Sequence, residues 1–247
     1  MRAHDRAVDA LRPLKIQTDY LDFAESSAFI EAGKTKVLVA ASVEERVPPF
    51  LKNSGQGWVT GEYSMLPRST EKRNVREGIQ GKPSGRTQEI QRLIGRSLRA
   101  VTDMRALGER TIILDCDVIQ ADGGTRSASI TAACVALALC LKRLLDAGLI
   151  DRMPLSHLVG AVSVGIVKGE YLLDLDYSED SSAEVDMNVV QSDKGQLVEV
   201  QVTAEKSPFS RKALSSMLQL ADKGINEIVQ LQREILIKKS RLFMAYS

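Results

Sequence analysis

Residues Ala121-Asp122-Gly123-Gly124-Thr125-Arg126-Ser127-Ala128-Ser129 place two glycines, a hydroxyl and a guanidinium between an apolar strand-like run, Thr111 to Ile119, and an apolar helix-like run, Ile130 to Leu145. A glycine-rich strand-to-helix junction presents backbone N–H groups to an anion. Arg126 sharpens that reading, because a cation in the first turn of a helix opposes the helix dipole unless an anion sits there. A second arginine of the same kind, Arg86 in Ser84-Gly85-Arg86-Thr87, opens the preceding helical pattern. Two helix N-termini, each with a glycine and an arginine, make a pocket for a small tetrahedral anion such as phosphate. A tight turn with a capping threonine accounts for the Gly-Gly-Thr string equally well.

A second group of residues suits a cation. From Glu170 to Asp186 there are seven acidic residues and no Lys or Arg. An EF-hand is excluded, since Glu179 stands where that loop needs glycine. Asp180, in a serine-rich bend, and Asp186, at the start of the next strand, can converge on one Mg2+ while leaving positions open for substrate oxygens; an exposed acidic turn is the competing account. Between Arg68 and Arg99 nine Lys and Arg stand against three acids. Of these, Arg68, Arg73 and Arg76 suit RNA phosphates or a subunit contact, and sequence does not separate the two roles.

Other chemistries lack material. The string Gly78-Ile79-Gln80-Gly81-Lys82-Pro83 has the wrong spacing for a P-loop and a proline where Ser or Thr must meet magnesium, and Gly55 to Gly61 misses the dinucleotide spacing. His4 and His157 are the only histidines, so a Ser-His-Asp engine is not supported.

Periodicity predicts the elements that must hold these groups. Apolar positions recur from Ile16 to Tyr20 and from Ala28 to Glu31, then after a turn at Ala32-Gly33-Lys34 run from Val37 to Val43, predicting a meander of strands. Residues 46–84, rich in Gly, Pro, Ser and Arg, predict a long functional or assembly loop with one short strand near Trp58-Val59. Ile90, Leu93, Ile94, Leu98, Val101 and Met104 mark the inward stripe of a helix over 87–104. Strands are predicted over 159–167, 171–177, 185–191 and 196–203, then a long helix after Pro208-Phe209-Ser210, interrupted at Gly224 and closing near Phe243. Each half runs strands first and helices afterwards, which predicts an α+β architecture and suggests a duplicated unit.

Composition narrows the classes further. At 247 residues the chain can bury a core as one domain or as two closely packed halves. Aromatics at 4% argue against base stacking as the main binding mode. Cys116, Cys134 and Cys140 form no C-x-x-C pair, which argues against a disulfide framework or zinc site and fits a reducing compartment. The charged start, with no apolar run approaching a membrane span, predicts a cytoplasmic protein without a membrane partner.

Pro67-Arg68-Ser69-Thr70, Ser84-Gly85-Arg86, the string from Gln88 to Arg99, that from Asp115 to Arg126, Leu173-Asp174-Leu175-Asp176-Tyr177 and that from Ala183 to Val189 closely resemble the bacterial ribonuclease PH family, in order and over essentially the whole chain. The resemblance implies an α+β ribonuclease PH fold of duplicated mixed sheet-and-helix units (ribosomal protein S5 domain 2-like), as one domain over residues 1–247. It implies a tRNA nucleotidyltransferase, a phosphorolytic 3′-to-5′ exoribonuclease. Such an enzyme trims the 3′ extension of precursor tRNA and other RNA ends, rRNA among them, releases nucleoside 5′-diphosphates and also runs in reverse. By motif match, Arg86, Gly124, Thr125 and Arg126 would hold inorganic phosphate as co-substrate, and Asp180 and Asp186 would serve Mg2+ and acid catalysis. Arg68, Arg73 and Arg76 would fall in the loop tied to tRNA contact and to assembly of a homohexamer, a trimer of dimers. The chain departs from the pattern at Ala3-His4-Asp5-Arg6, where Pro-Asp-Gly-Arg is expected, and at Val202 and Lys206, where glycines are common. Two other readings are weaker: a silent RNA-binding ring subunit, which should have lost the arginines or aspartates, and a hydrolytic metal nuclease, which leaves Arg86 and Arg126 without a task.

Overall fold

Ten-residue alternation in β3 (Thr35–Glu44), with every second side chain buried through its first eight positions, marks a strand with one face on a core. The structure, a computed structural model, describes Arg2, residues 5–79 and residues 81–246. With β1 (Leu14–Thr18), β2 (Ser26–Ala32), β4 (Trp58–Met65) and β5 (Thr111–Gln120), β3 forms a five-stranded sheet in the order β1-β2-β3-β5-β4. All its pairings are antiparallel except β4 with β5, which run parallel and are joined through α1 (Gly85–Arg99) and α2 (Met104–Leu107). The second sheet, β6 (Val159–Val167), β7 (Glu170–Leu173), β8 (Val185–Ser192) and β9 (Leu197–Ala204), is antiparallel throughout in the order β7-β6-β8-β9.

One helix joins the two sheets. α3 (Thr125–Asp146) packs against β2 and β3 of the first sheet and β6 of the second, and every residue from Ser127 to Leu141 is buried. A helix covered on all sides must be apolar on all sides. That corrects one expectation: α3, at 22 residues, has the length and apolar character of a membrane span, but it is the core helix between two sheets. α1 covers β4 with Ile90, Leu93, Ile94 and Leu98, each burial contributing roughly 1.5–3 kcal/mol. The three cysteines are free and buried in the same core.

The α+β prediction holds, and several boundaries change. β4 is an eight-residue strand and not a short one, because its polar face, Glu62 and Ser64, looks outward and dilutes the apolar signal. Helix α1 stops at Arg99, with α2 separate. The strand predicted over 171–177 ends at Leu173, and a short helix, α4 (Tyr177–Ser182), follows. α5 (Arg211–Lys239) runs through Gly224 without a break; a Cβ there would meet Leu173 Cδ1 at 2.8 Å, so this glycine permits close packing and ends nothing. Duplication is partial: each half builds one sheet and one long helix, but only the first sheet has a parallel crossover.

Of the departures from the family pattern, Asp5, Val202 and Lys206 are accommodated. Asp5 takes φ +51°, the left-handed conformation a glycine adopts freely and Asp tolerates. Ala3 and His4 lie outside the described residues. Val202 pairs with Met187 in the regular ladder, and Lys206 donates from Nζ to the Ser182 carbonyl at 3.0 Å.

Candidate active site

Among the described residues, four of the five α-helices begin with a side chain that accepts from an N–H of the first turn: Ser84 for α1, Asp103 for α2, Asp176 for α4 and Ser210 for α5. α3 alone has no such cap. Its N-cap is Gly124, left-handed at φ +63°, with no side-chain hydrogen bond to the first turn. Thr125 is therefore not the capping residue of the competing account; its Oγ1 instead lies 2.9 Å from the phenol oxygen of Tyr63. The first-turn N–H groups of α3 remain for an outside acceptor.

The turn that precedes them is held from two sides. Thr35 Oγ1 accepts from Asp122 N–H at 2.9 Å and donates to the Gly123 carbonyl at 2.7 Å. Gly123, at φ +75°, sits so close to the entry of α4 that a Cβ would meet the Leu175 carbonyl oxygen at 2.6 Å. The anion turn and α4 are thus in backbone contact.

Both predicted arginines reach this region. Arg126, second in α3, donates from Nη1 to Gln201 Oε1 at 2.7 Å, and Gln201 in turn donates to Glu89 at 2.6 Å. Arg86 is exposed on the first turn of α1. At its helix terminus Ser84 takes one N–H, that of Thr87, at 3.2 Å. The fields of Arg86 and Arg126 act together on Tyr63 and on Asp180.

Asp180 lies in α4 and not in a bend, while Asp186 is the second residue of β8 as predicted. Burial raises the Asp180 carboxyl above the ordinary range, and Arg126 and Arg86 oppose the rise. Burial, then the charge of Asp180, pushes Asp186 up to about 6, with Arg126 again opposing. Asp186 Oδ2 accepts from Asn188 Nδ2 at 3.2 Å, but Oδ1 is buried with no partner. Two mutually repelling carboxylates and an orphaned buried oxygen fit a divalent cation. Among the described residues no third acid, His or Cys completes the pair. That suits Mg2+, which draws its remaining ligands from water and substrate phosphates.

Sequence reasoning missed the joint beneath the site. Arg12, Arg6 and Arg2 converge on Asp174 and Glu179 in a buried network. Burial raises the Asp174 carboxyl, yet hydrogen bonds and charge from Arg12 outweigh it and hold the group below its usual range. An acid embedded in Leu173-Asp174-Leu175 is the signal that a cation must come from elsewhere in the chain. Tyr63, the only aromatic residue on the buried face of β4, was also missed.

Arg68, Arg73 and Arg76 are exposed on the loop after β4 and are not brought to the aspartates by any contact among the described residues. The loop's root is tied to the anion turn, since Ala121 N–H donates to the Ser69 carbonyl at 2.8 Å. His157 pairs with Asp193 at 2.9 Å, remote in the fold from α4.

This arrangement, a sheet with a parallel crossover and an antiparallel sheet sharing one core helix, belongs to a recognised family: the chain is a member of the 3′ exoribonuclease family, whose domain 1 matches residues 10–142 and domain 2 residues 157–224. Among its relatives is ribonuclease PH of Moorella thermoacetica, 58% identical over 236 residues, 96% of this chain and 94% of that protein. Ribonuclease PH of Bacillus subtilis is 56% identical over 237 residues, 96% of this chain and 97% of that protein. The resemblance carried by the motifs is therefore borne out. Two solved structures share the fold. Rice Rrp46 has a TM-score of 0.76 at 21% identity, covering 95% of this chain and 100% of that one. The Archaeoglobus fulgidus exosome with RNA bound to the active site has 0.76 at 20%, covering 97% and 92%.

Proposed function

We propose that this chain is a phosphorolytic 3′-to-5′ exoribonuclease, a tRNA nucleotidyltransferase of the ribonuclease PH type. One observation carries the reading: among the five α-helices of the described residues only α3 lacks a side-chain N-cap, and Arg126 in its first turn acts on Asp180 and Asp186, with Arg86 acting on Asp180 as well. A hydrolytic nuclease has use for the acids alone. An enzyme that drives one phosphate at another needs both halves.

In this mechanism Gly124, Thr125, Arg126 and Arg86 bind inorganic phosphate and offset its repulsion by the RNA backbone. A phosphate oxygen attacks the phosphorus of the last phosphodiester, and the bond from that phosphorus to the 3′ oxygen of the preceding nucleotide breaks. Asp180, whose raised affinity for protons suits a general acid, protonates that oxygen directly or through water. The products are a nucleoside 5′-diphosphate and an RNA one nucleotide shorter. Mg2+ held by Asp180 and Asp186 would neutralise charge that develops on the scissile phosphate. One phosphoanhydride bond replaces one phosphodiester of similar energy, so nucleotide addition is the reverse of the same step.

The substrates proposed are the 3′ extension of precursor tRNA and other RNA 3′ ends, rRNA included. The proposed assembly is a homohexameric ring, a trimer of dimers, with Arg68, Arg73 and Arg76 at its contacts or on the tRNA, in the cytoplasm and away from membranes. The test is the product formed from a 3′-extended tRNA with Mg2+, with and without inorganic phosphate, read by chromatography. Nucleoside diphosphates that appear only with phosphate support the reading. Monophosphates formed without phosphate overturn it.

A further inference from the structure

Tyr63 belongs to none of the strings that pointed to the anion site. Its side chain is buried, and its hydroxyl has a single partner among the described residues, Thr125 Oγ1 at 2.9 Å. With an anion bound at the α3 terminus, counting hydrogens sets the direction of that bond. A phenol has one hydrogen, and a threonine hydroxyl has one hydrogen and two acceptor positions. If Thr125 donated, the Tyr63 hydrogen would be buried without an acceptor, a costly arrangement. If Tyr63 donates, the Thr125 hydrogen is the one left over, and an anion at the α3 terminus supplies its acceptor, so that both hydroxyls are served once the anion binds.

That hydrogen belongs to the first residue of α3, at the terminus that no side chain caps. In a helix Thr divides between two rotamers, so an unsupported Thr125 hydroxyl would spend part of its time turned elsewhere. The Tyr63 phenol fixes the rotamer and occupies one acceptor position. The nearness of Arg86 and Arg126 to the same phenol places it within the anion site's field.

We infer that Tyr63 is a positioning residue for phosphate: it donates to Thr125 Oγ1 and so commits the Thr125 hydrogen to the bound anion. The inference rests on the anion-site reading above and adds a residue to it.

The test measures initial phosphorolysis rates at varied inorganic phosphate and at varied RNA for the unaltered enzyme, Tyr63→Phe, Thr125→Val, the double variant and Arg126→Ala. Tyr63→Phe is expected to raise KM for phosphate about five-fold, the size of one neutral hydrogen bond, while KM for RNA stays within about two-fold. A residue acting through Thr125 has nothing left to act on once that hydroxyl is gone, so the double variant should match Thr125→Val alone. An unchanged phosphate KM in Tyr63→Phe overturns the inference, as do penalties that multiply in the double variant.

Arg126→Ala separates this from the broader reading. If it raises phosphate KM while Tyr63→Phe does not, only the role of Tyr63 falls; if neither does, the anion site falls with it. Should Tyr63→Phe fail to fold, Thr125→Ser against Thr125→Val asks the same question on the native phenol. Phosphate KM kept by the serine and raised by the valine supports the inference, and equal values overturn it.

Discussion

Arg12 holds Asp174 through three bonds: its main-chain N–H to Oδ2 at 2.8 Å, Nε to Oδ2 at 3.0 Å and Nη2 to Oδ1 at 2.7 Å. Its remaining nitrogen, Nη1, donates to the Asp122 carbonyl at 2.5 Å. One side chain therefore fastens the anion turn to the segment that leads into α4 and Asp180. Arg12→Ala removes both side-chain bonds and leaves the buried Asp174 carboxylate with the main-chain N–H and the longer pair to Arg6 at 3.5 Å, which costs about 3 kcal/mol and should lower Tm by roughly 10 °C. Calorimetry reads the change. A fall of only a degree or two would show that the joint adds little to the fold.

Arg126→Ala deletes a cation from the anion turn and leaves the RNA-facing loops alone. Loss of a charge-assisted hydrogen bond predicts a rise in phosphate KM of about 10–100-fold. RNA affinity, measured by filter binding, should change by less than about three-fold. Equal losses in both would show that the residue serves RNA.

Asp180→Ala removes the proposed general acid from a short, partly exposed helix. Turnover should fall by at least about a hundred-fold. The oligomer seen by light scattering should not change. A dissociated variant would mean that the residue holds the assembly together.

Asp186 ties function to stability with a sign that can be checked. Its folded pKa, about 6, exceeds its ordinary 3.8, so the folded chain favours the neutral carboxyl. The resulting stability is fully present below 3.8 and is lost as pH rises through 6. Asp186→Asn is neutral at every pH and avoids the loss. In chelator, urea unfolding should find the variant more stable than the unaltered protein at pH 7, by about 2 kcal/mol. The gap should shrink towards pH 4 and also on addition of Mg2+. A gap constant across that range would remove the link to a proton.

What the sequence made legible was whatever is local. Arg126 stood out because its dipole conflict is visible within six residues, and the strands of both sheets because their alternation is short-range. Arg12 was silent because its partner lies 162 positions away, and a buried arginine looks like a surface one until its acid is found. Tyr63 was hidden for the same reason, being 62 positions from Thr125. The bend assigned to Asp180 failed because a six-residue helix has too little periodicity to read; its capping box, Asp176 with Glu179, was the available sign. Gly224 was misjudged because a glycine that ends a helix and one that admits a neighbour are the same letter.

The burial of all three cysteines has a practical side. Desolvation pushes the Cys134 and Cys140 thiols up to about 12 and Cys116 higher still, so almost no thiolate exists at neutral pH. The native fold should resist both oxidation and maleimides. A cysteine introduced at an exposed position such as Arg73 would then be the one site that takes a fluorophore, and the native thiols would need no prior removal.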